Sequence, residues 1–349
     1  MNKRLLLLSF VIMICVCAFS QDRTQDFTMF IPTQKVQNSL YNTIHFIDSR
    51  QDTSTMGIVQ NGAFNKKVRV VPRTPIAEQL RILLDSLKDA SAKEGELVFQ
   101  LRHFSFAEVT RPTIEIGYCY LKAELYAKKG DKYLKVNSLD SVIYVKSNEV
   151  TEKLMKSTRE SIFDFISKSL LIKPDEGVYY SYNDVRNIDW IEKSKLKLYT
   201  TSEYTDGLYL SYESFKNQLP DMEAIVIMND KQVRAVNIIN NKGKTEKVNA
   251  KSVYAVVHNG QLHVATQYGF YQLRKVKDDF LFYGKGKVTA EAIDVISAQF
   301  YHGLIGSMLA ADKASILEMK IDHVNGGFIR LRDMQIHPRV TLGKNNPYW

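Results

Sequence analysis

Apolar residues recur at helical spacing in two segments of the chain. The first segment follows Thr74 and Pro75, and its apolar stripe consists of Ile76, Leu80, Leu83, Leu84 and Leu87. The second follows Ser147, and its stripe consists of Val150, Leu154, Met155, Thr158, Ile162, Phe165 and Ile166. An apolar side chain every three or four residues covers one face of a helix, and proline in the first helical position loses no hydrogen bond. Both segments are therefore predicted to be helices with one buried face.

Four segments in the same half of the chain have the alternating pattern of β-strands. They are Tyr41–Ile47, Leu97–Val109, Thr113–Ala127 and Lys132–Val145. The last two flank a Lys-Lys-Gly-Asp turn and are predicted to form a hairpin. Together with the helices, the order β-α-β-β-β-α predicts an α+β domain over residues 41–172. In this domain an N-terminal antiparallel sheet carries two helices on one face.

The pattern changes at Lys173-Pro174-Asp175, after which short strand-like runs are separated by polar turns. Asn259-Gly260 between two apolar runs indicates a two-residue hairpin. Residues 176–349 are predicted to form a mainly antiparallel β-domain, either a barrel or a sandwich. One late segment, Val295–Ala311, has no charged residue but is shorter than the ~20 residues of a membrane span. We predict an apolar helix near residues 289–311, either buried or in contact with a membrane.

A short element occurs twice in the second half. Gly177-Val178-Tyr179-Tyr180-Ser181-Tyr182 returns thirty residues later as Gly207-Leu208-Tyr209-Leu210-Ser211-Tyr212. Each copy predicts a tight turn, a short strand and the start of a helix. The tyrosines are a candidate aromatic platform for a protein partner or a glycan, formed by Tyr180, Tyr182, Tyr209 and Tyr212. The alternative is that they belong to the core of the β-domain.

The N-terminus has the three parts of a secretory signal peptide. Lys3 and Arg4 precede the uncharged apolar run Leu5–Phe19, and Ala18 and Ser20 are small residues before Gln21. This layout predicts cleavage after residue 20, with residues 21–40 as a polar lead-in segment. Lipidation at Cys17 and a retained membrane anchor are the alternatives. Export to the periplasm or the outer-membrane periphery removes the chain from cytoplasmic nucleotides, so no cofactor is expected.

Charge and composition restrict the class of partner. The formal net charge is +9, and loss of Lys3 and Arg4 with the signal leaves +7. Outside the cytoplasm this charge favours anionic lipid, lipopolysaccharide or acidic glycan, unless it serves solubility alone. No basic run is interleaved with stacking aromatics, so nucleic acid is excluded as a partner.

No local motif for catalysis or metal binding is present. The chain has no HExxH, CxxC or GxSxG pattern, and its seven histidines are scattered. Once the signal is removed, Cys119 is the single cysteine. It lies in an alternating run, which predicts a buried strand position rather than a nucleophile. The sequence therefore names no catalytic residue and no metal ligand.

Two stretches resemble known families. Asp48-x-Arg50 after a strand, Gly57 and the helix after Pro75 resemble the YajG-type outer-membrane lipoproteins, whose fold is related to the TolB N-terminal domain. The Gly-x-Tyr-x-Ser-Tyr element and Asn217-x-x-Pro220 resemble uncharacterised exported proteins of Gram-negative bacteria. The resemblance implies a place in the cell envelope, and it marks Asp48 and Arg50 as a family-like motif.

These observations lead to one hypothesis and two alternatives. The hypothesis is a non-enzymatic periplasmic or outer-membrane-associated protein that binds a protein partner or a glycan. The first alternative is an extracytoplasmic hydrolase of glycan or peptide. The second is an accessory protein that handles lipid or lipopolysaccharide, based on the positive charge and the apolar segment Val295–Ala311.

Export gives the first testable prediction. We expect the mature protein to begin at Gln21 and to fractionate with the cell envelope without covalent lipid, because the apolar run ends at a signal-peptidase site. Mass spectrometry of the N-terminal peptide from purified envelopes measures this. A peptide that starts at an acylated Cys17, or at an intact Met1, would contradict it.

Overall fold

The chain divides into two compact units in the computed structural model, which describes residues 24–50, 53–61, 66–111, 114–174, 177–230, 232–287, 295–296 and 314–333. The first unit comprises Met1–Ala123 and Leu139–Ile172, and the second comprises Glu124–Ser138 and Lys173–Trp349. The main division thus falls beside the predicted linker. One segment differs from the prediction, because the hairpin tip Glu124–Ser138 groups with the second unit. The predicted signal peptide lies outside the described residues.

The first unit contains seven strands and two long helices among its described residues. In chain order they are β1 (Thr24–Phe27), β2 (Thr43–Asp48), β3 (Ile58–Asn61), β4 (Lys66–Pro72), α1 (Ile76–Leu87), β5 (Glu96–Arg111), β6 (Ile114–Lys129), β7 (Lys132–Ser147) and α2 (Thr151–Ser169). Strands β2, β5, β6 and β7 are neighbours in one sheet, and β1, β4 and β3 form another. The predicted α+β class with mostly antiparallel sheets is confirmed.

Two features of this unit differ from the sequence-based expectation. Strand β2 pairs with β5 in parallel, with Thr43 opposite Glu96 and Asp48 opposite Leu101. A helix crosses between these strands, and such a crossover returns the chain in the same direction. The small sheet of β1, β3 and β4 was not predicted, because its strands are short and β4 carries Lys66, Lys67 and Arg69. Strand β1 lies in the predicted lead-in segment, and Phe27 at its end is fully buried.

The helices bury the faces that the sequence indicates. In α1 the buried apolar residues are Ile76, Leu80, Leu83, Leu84 and Leu87, as predicted. Helix α2 packs on the sheet at Gly117, where a Cβ atom would lie 2.9 Å from Leu154 Cδ2 and from Val150 Cγ2. Glycine is therefore required for this close approach. Cys119 lies on the same strand, fully buried, and burial raises the pKa of its thiol far above the usual range. The predicted buried strand cysteine is confirmed.

The described residues of the second unit form short helices, three sheets and the short strand β8. Its elements are β8 (Tyr179–Tyr180), α3 (Tyr182–Arg186), α4 (Ile188–Lys193), α5 (Lys197–Thr200), β9 (Gly207–Tyr209), α6 (Tyr212–Lys216), β10 (Ile225–Asn229), β11 (Gln232–Ile239), β12 (Thr245–Lys247), β13 (Ala255–His258), β14 (Gln261–Thr266), β15 (Gly269–Gln272), β16 (Arg274–Val276), β17 (Asp279–Lys287), β18 (Val295–Ile296), β19 (Ala314–Ile321) and β20 (Phe328–Asp333). Strand β8 pairs with β7 at the hairpin tip, with Tyr133 opposite Tyr180.

The three sheets are stacked, with the sheet β15-β14-β13-β9 in the middle. One face of this middle sheet contributes Val257, Leu262 and Val264 to a core shared with the sheet β16-β17-β19-β20-β18. Its other face contributes Val256 and Ala265 to a core shared with the sheet β10-β11-β12. Because both faces are covered, β13 is an unbroken apolar run rather than an alternating one. The arrangement is thus a sandwich of three layers.

The predicted late helix near residues 289–311 lies almost entirely outside the described residues. Its described part, β18, is a two-residue strand that pairs with β20, where Val295 lies opposite Ile329. No helix in the described parts of the chain combines the length and the hydropathy that a membrane span requires.

Glu108 is a buried carboxyl group on β5 in the first unit. Its Oε2 accepts a hydrogen bond of 2.7 Å from the Gln60 amide nitrogen, whereas Oε1 is buried without a partner among the described residues. Burial is the main cause that raises the pKa of Glu108 to about 7, and the nearby Glu115 carboxylate adds to it. The folded chain therefore favours the protonated, neutral form of this side chain.

The raised pKa of Glu108 predicts a pH-dependent stability. Because the folded chain holds a proton that the unfolded chain releases above its ordinary pKa of 4.5, this contribution is complete below pH 4.5 and is lost as the pH rises through about 7. The free energy of unfolding of Glu108→Gln, taken relative to that of the unchanged chain, should be higher at pH 8 than at pH 5, by up to about 3 kcal/mol. Urea unfolding across this pH range measures the difference. The exposed Glu94→Gln is the control, and an equal pH profile for both variants would refute the assignment.

Candidate functional site

Asp48 and Arg50, the family-like motif, bind each other at the end of β2. Arg50 donates from Nε to Asp48 Oδ1 at 2.9 Å and from Nη2 to Asp48 Oδ2 at 2.7 Å. Its Nη1 donates to the Thr55 carbonyl oxygen at 3.0 Å, and the Arg50 side chain is only 5% exposed. Close by, Gly57 has φ +89°, and a Cβ atom there would lie 2.2 Å from the Phe106 carbonyl oxygen. The motif thus holds the segment between β2 and β3 in place.

The duplicated element folds in the same way in both copies. A short strand is followed by a serine that caps a five-residue helix: Ser181 Oγ accepts from the Asp184 amide, and Ser211 Oγ accepts from the Ser214 amide, each at 3.1 Å. Both helices end at an asparagine, and the Asn187 and Asn217 side chains each donate to a carbonyl four residues earlier at 2.9 Å. The predicted strand and helix start are confirmed in each copy. Because serine caps and side-chain hydrogen bonds act between neighbouring residues, the sequence pattern alone is enough to predict the start of each helix.

The two copies differ in burial at equivalent tyrosines. Tyr209 and Tyr212 in the second copy are 0% and 8% exposed. Their equivalents in the first copy, Tyr179 and Tyr182, are 45% and 49% exposed. Tyr180 is half-buried, with its ring 5.9 Å from that of Tyr126. The four tyrosines of the predicted platform therefore do not form one surface, because two of them lie in the core.

The hydroxyl groups of the buried tyrosines in the second copy donate hydrogen bonds to backbone carbonyl oxygens. Tyr209 donates its hydroxyl to the Thr205 carbonyl at 2.6 Å, and Tyr212 donates to the His323 carbonyl at 2.7 Å. Burial raises the pKa of Tyr209 to about 12 and that of Tyr212 still further above its ordinary value. Both hydroxyls thus stay protonated and act as donors that fix the core.

The exposed tyrosines of the first copy lie at the edge strand β8, and each has a cationic neighbour. Tyr179 is on the sheet face of Lys132, and Tyr182 is beside Tyr133 on the other face. We call Val178, Tyr179 and Tyr182, which border this edge, the aromatic patch. Lys132 Nζ lies 4.7 Å from the centroid of the Tyr179 ring, and the Arg186 guanidinium carbon lies 6.0 Å from that of Tyr182. These distances are those of cation–π contacts. The patch is therefore an exposed sheet edge whose tyrosine rings are bordered by positive charge.

A second cluster lies elsewhere in the second unit. Ligand atoms of Asp189, Glu192 and His323 lie within 4.8 Å of one another. His323 Nε2 is 2.7 Å from Glu192 Oε2, and the His323 side chain is 6% exposed. Asp189 is exposed and Glu192 is half-buried. The three side chains together offer one nitrogen and two carboxylate donors.

Backbone structure explains how this cluster forms. Asp189 and Glu192 are three residues apart on α4 and so lie on one face of the helix. His323 lies in the turn between β19 and β20, whose backbone is held by the Tyr212 hydroxyl. Next to it, Lys193 Nζ forms an ion pair of 2.6 Å with Asp279 Oδ1, and Lys320 also pairs with Asp279. The neighbouring lysines are thus directed to Asp279.

The sequence pattern did not indicate that these three side chains lie together. His323 and Glu192 are 131 residues apart in the chain, so no local motif joins them. The one signal that could have indicated the carboxylates was the Asp-x-x-Glu spacing of Asp189 and Glu192 on a short helix. Of the histidines on either side of the Asn259-Gly260 turn, His263 is buried, and burial lowers its pKa.

Comparison with known proteins shows one weak structural similarity and no match in sequence. No family model and no curated protein sequence matches the chain. Among solved structures, the crystal structure of a Xanthomonas campestris protein of the DUF330 family is similar over 42% of this chain and 92% of its own, with 12% identity and a TM-score of 0.27. This likeness to a protein of a Gram-negative bacterium is too weak to carry an argument about fold or function. It does not show the predicted resemblance to YajG-type lipoproteins or to the TolB N-terminal domain.

The geometry of Asp48 and Arg50 predicts a structural role. Arg50→Lys should destabilise the first unit by about 1–2 kcal/mol, because lysine cannot make the two parallel hydrogen bonds and the third to Thr55. Arg81→Lys is the matched control, since Arg81 pairs with Asp85 on the surface, where such pairs contribute about 0–1 kcal/mol. Urea unfolding measures both variants. If the two substitutions cost the same, the motif does not hold the loop as described.

Proposed function

We propose that this chain is a non-enzymatic, exported protein of the cell envelope that binds a protein partner through its aromatic patch. The observation that carries the proposal is the contrast between the two copies of one element. At equivalent positions the second copy buries two tyrosine rings, and the first copy leaves them about half exposed. The first copy therefore presents to its surroundings the surface that its duplicate packs into a core.

The composition of the patch favours a protein partner. Tyrosine and arginine are enriched at the centres of protein interfaces, where they contribute most of the binding free energy. The patch combines Val178, Tyr179 and Tyr182 with Arg186 at its border. Burying two half-exposed tyrosine rings in an interface would remove a substantial apolar area from water.

A glycan is the second candidate, and the ring environments make it less suitable. Sugars stack on open aromatic faces. The Tyr179 ring has Lys132 Nζ over it, and the Tyr182 ring has Arg186 and the Tyr133 ring beside it, the latter at 6.1 Å between centroids. The faces available for stacking are therefore partly occupied, whereas ring edges and the apolar Val178 remain accessible to a protein surface.

Export completes the proposal. The predicted signal peptide supports a location in the periplasm or at the periphery of the outer membrane, where the partner would belong to the envelope. A positive charge of this size would aid encounter with an acidic partner surface.

The aromatic patch predicts a specific loss of binding. A photo-crosslinking amino acid at position 182 in living cells should trap one discrete partner, and the same probe at Tyr144 should not. With that partner purified, Tyr182→Ala and Tyr179→Ala should each weaken binding at least about tenfold, because each removes a contact at the centre of the interface. Tyr144→Ala is the matched control, since Tyr144 is also an exposed tyrosine, in the first unit.

Two results would count against the proposal. Equal affinity of all three variants for the partner would exclude the patch as its binding surface. Saturable binding of purified envelope glycan, lost in Tyr182→Ala and retained in Tyr144→Ala, would replace the protein partner by a glycan.

A further inference from the structure

We propose that Asp189, Glu192 and His323 form a binding site for a divalent transition metal ion, with Zn²⁺ the ion that suits it best. We call these three residues the His–carboxylate cluster. Their ligand atoms converge within 4.8 Å, on the surface side of a buried histidine. These residues are not part of the aromatic patch, so a test of zinc binding does not depend on the proposed function.

The donor set indicates the class of metal. Ca²⁺ and Mg²⁺ prefer sites made of oxygen atoms alone, and an imidazole nitrogen beside two carboxylates is typical of zinc and related ions. Three protein ligands leave a fourth position of a tetrahedral zinc open to water. In this cluster that position would face solvent, since Asp189 is exposed and Glu192 is half-buried.

The geometry requires only a small adjustment to accept an ion. Zinc bonds of ~2.0–2.2 Å place tetrahedral ligands about 3.4 Å apart. His323 Nε2 and Glu192 Oε2 are now 2.7 Å apart and share a hydrogen bond. Zinc would replace the shared proton and move the two atoms apart by less than 1 Å. Ligand atoms that are as much as 4.8 Å apart would approach by about 1.4 Å, and we expect rotation of the Asp189 and Glu192 side chains on α4 to supply both movements.

The surroundings favour the ion in two ways. The two carboxylates balance the charge of a divalent cation once the imidazole is neutral. The nearest lysine on α4, Lys193, is directed to Asp279 at 2.6 Å, so its charge is compensated there. His323 itself is positioned by its backbone, because the Tyr212 hydroxyl donates to its carbonyl oxygen at 2.7 Å. The metal would therefore join α4 to the turn between β19 and β20.

Calorimetric titration of the untagged full chain with Zn²⁺, after treatment with a chelator, tests this inference. We expect one ion per chain, a higher melting temperature with zinc, and no competition from excess Ca²⁺. Asp189→Asn should weaken zinc binding at least about tenfold and remove the zinc-dependent rise in melting temperature. It is the first variant to make, because the residue is exposed and the fold does not depend on its burial.

Glu192→Gln and His323→Gln should give the same loss, with folding checked by circular dichroism without metal. Asp278→Asn, an exposed carboxylate on another loop of the same unit, is the matched control and should bind zinc as the unchanged chain does. Failure of the folded, unchanged chain to bind zinc would show that the cluster is only an ion pair and would overturn the inference. Zinc binding that the three ligand variants retain would place the ion elsewhere and overturn the inference as well.

Discussion

Two buried tyrosine hydroxyls fix the turn between β19 and β20 against the core of the second unit. Tyr212 donates to the His323 carbonyl at 2.7 Å, and Tyr254 donates to the Gly326 carbonyl at 2.8 Å. A buried hydroxyl without a partner is costly, so the turn between β19 and β20 stabilises both rings in the core by accepting these hydrogen bonds. The fit is close, because a Cβ atom at Gly326 would lie 2.2 Å from Tyr212 Cγ. The turn, the helix α6 and the core are thus fixed by the same contacts.

This constraint separates the two copies of the duplicated element. The local structure is the same in both, with a serine cap and a terminal asparagine. Only the second copy has the turn between β19 and β20 packed on its tyrosine, and only there is the ring buried. In the first copy, Tyr182 is bordered by Tyr133 and Arg186, which leave half of it exposed. Among the described residues, the exposure of the aromatic patch therefore follows from the segments that pack beside it, since the local backbone structure of the two copies is the same.

The same turn also accounts for the His–carboxylate cluster. The His323 carbonyl oxygen accepts a hydrogen bond from the Tyr212 hydroxyl. This bond holds the His323 backbone where its side chain reaches Glu192 on α4. The cluster thus depends on the turn that packs on Tyr212 in the second copy, and the patch lies in the first copy, where Tyr182 is not packed against that turn. One region is apolar and bordered by cations, and the other offers acidic and imidazole donors, so the two suit ligands of different chemistry.

The sequence by itself determined the features that depend on a few neighbouring residues. These include the buried stripes of α1 and α2, the serine caps, and the Asn259-Gly260 hairpin, where both residues have positive φ. They follow from periodicity and turn chemistry, which act over one or two helical turns. The tertiary structure alone decided that β2 pairs with β5 in parallel, that Tyr209 and Tyr212 are core while Tyr179 and Tyr182 are surface, and that His323 meets Glu192. Each of these depends on which distant segment packs against a residue, and local pattern carries no information about that.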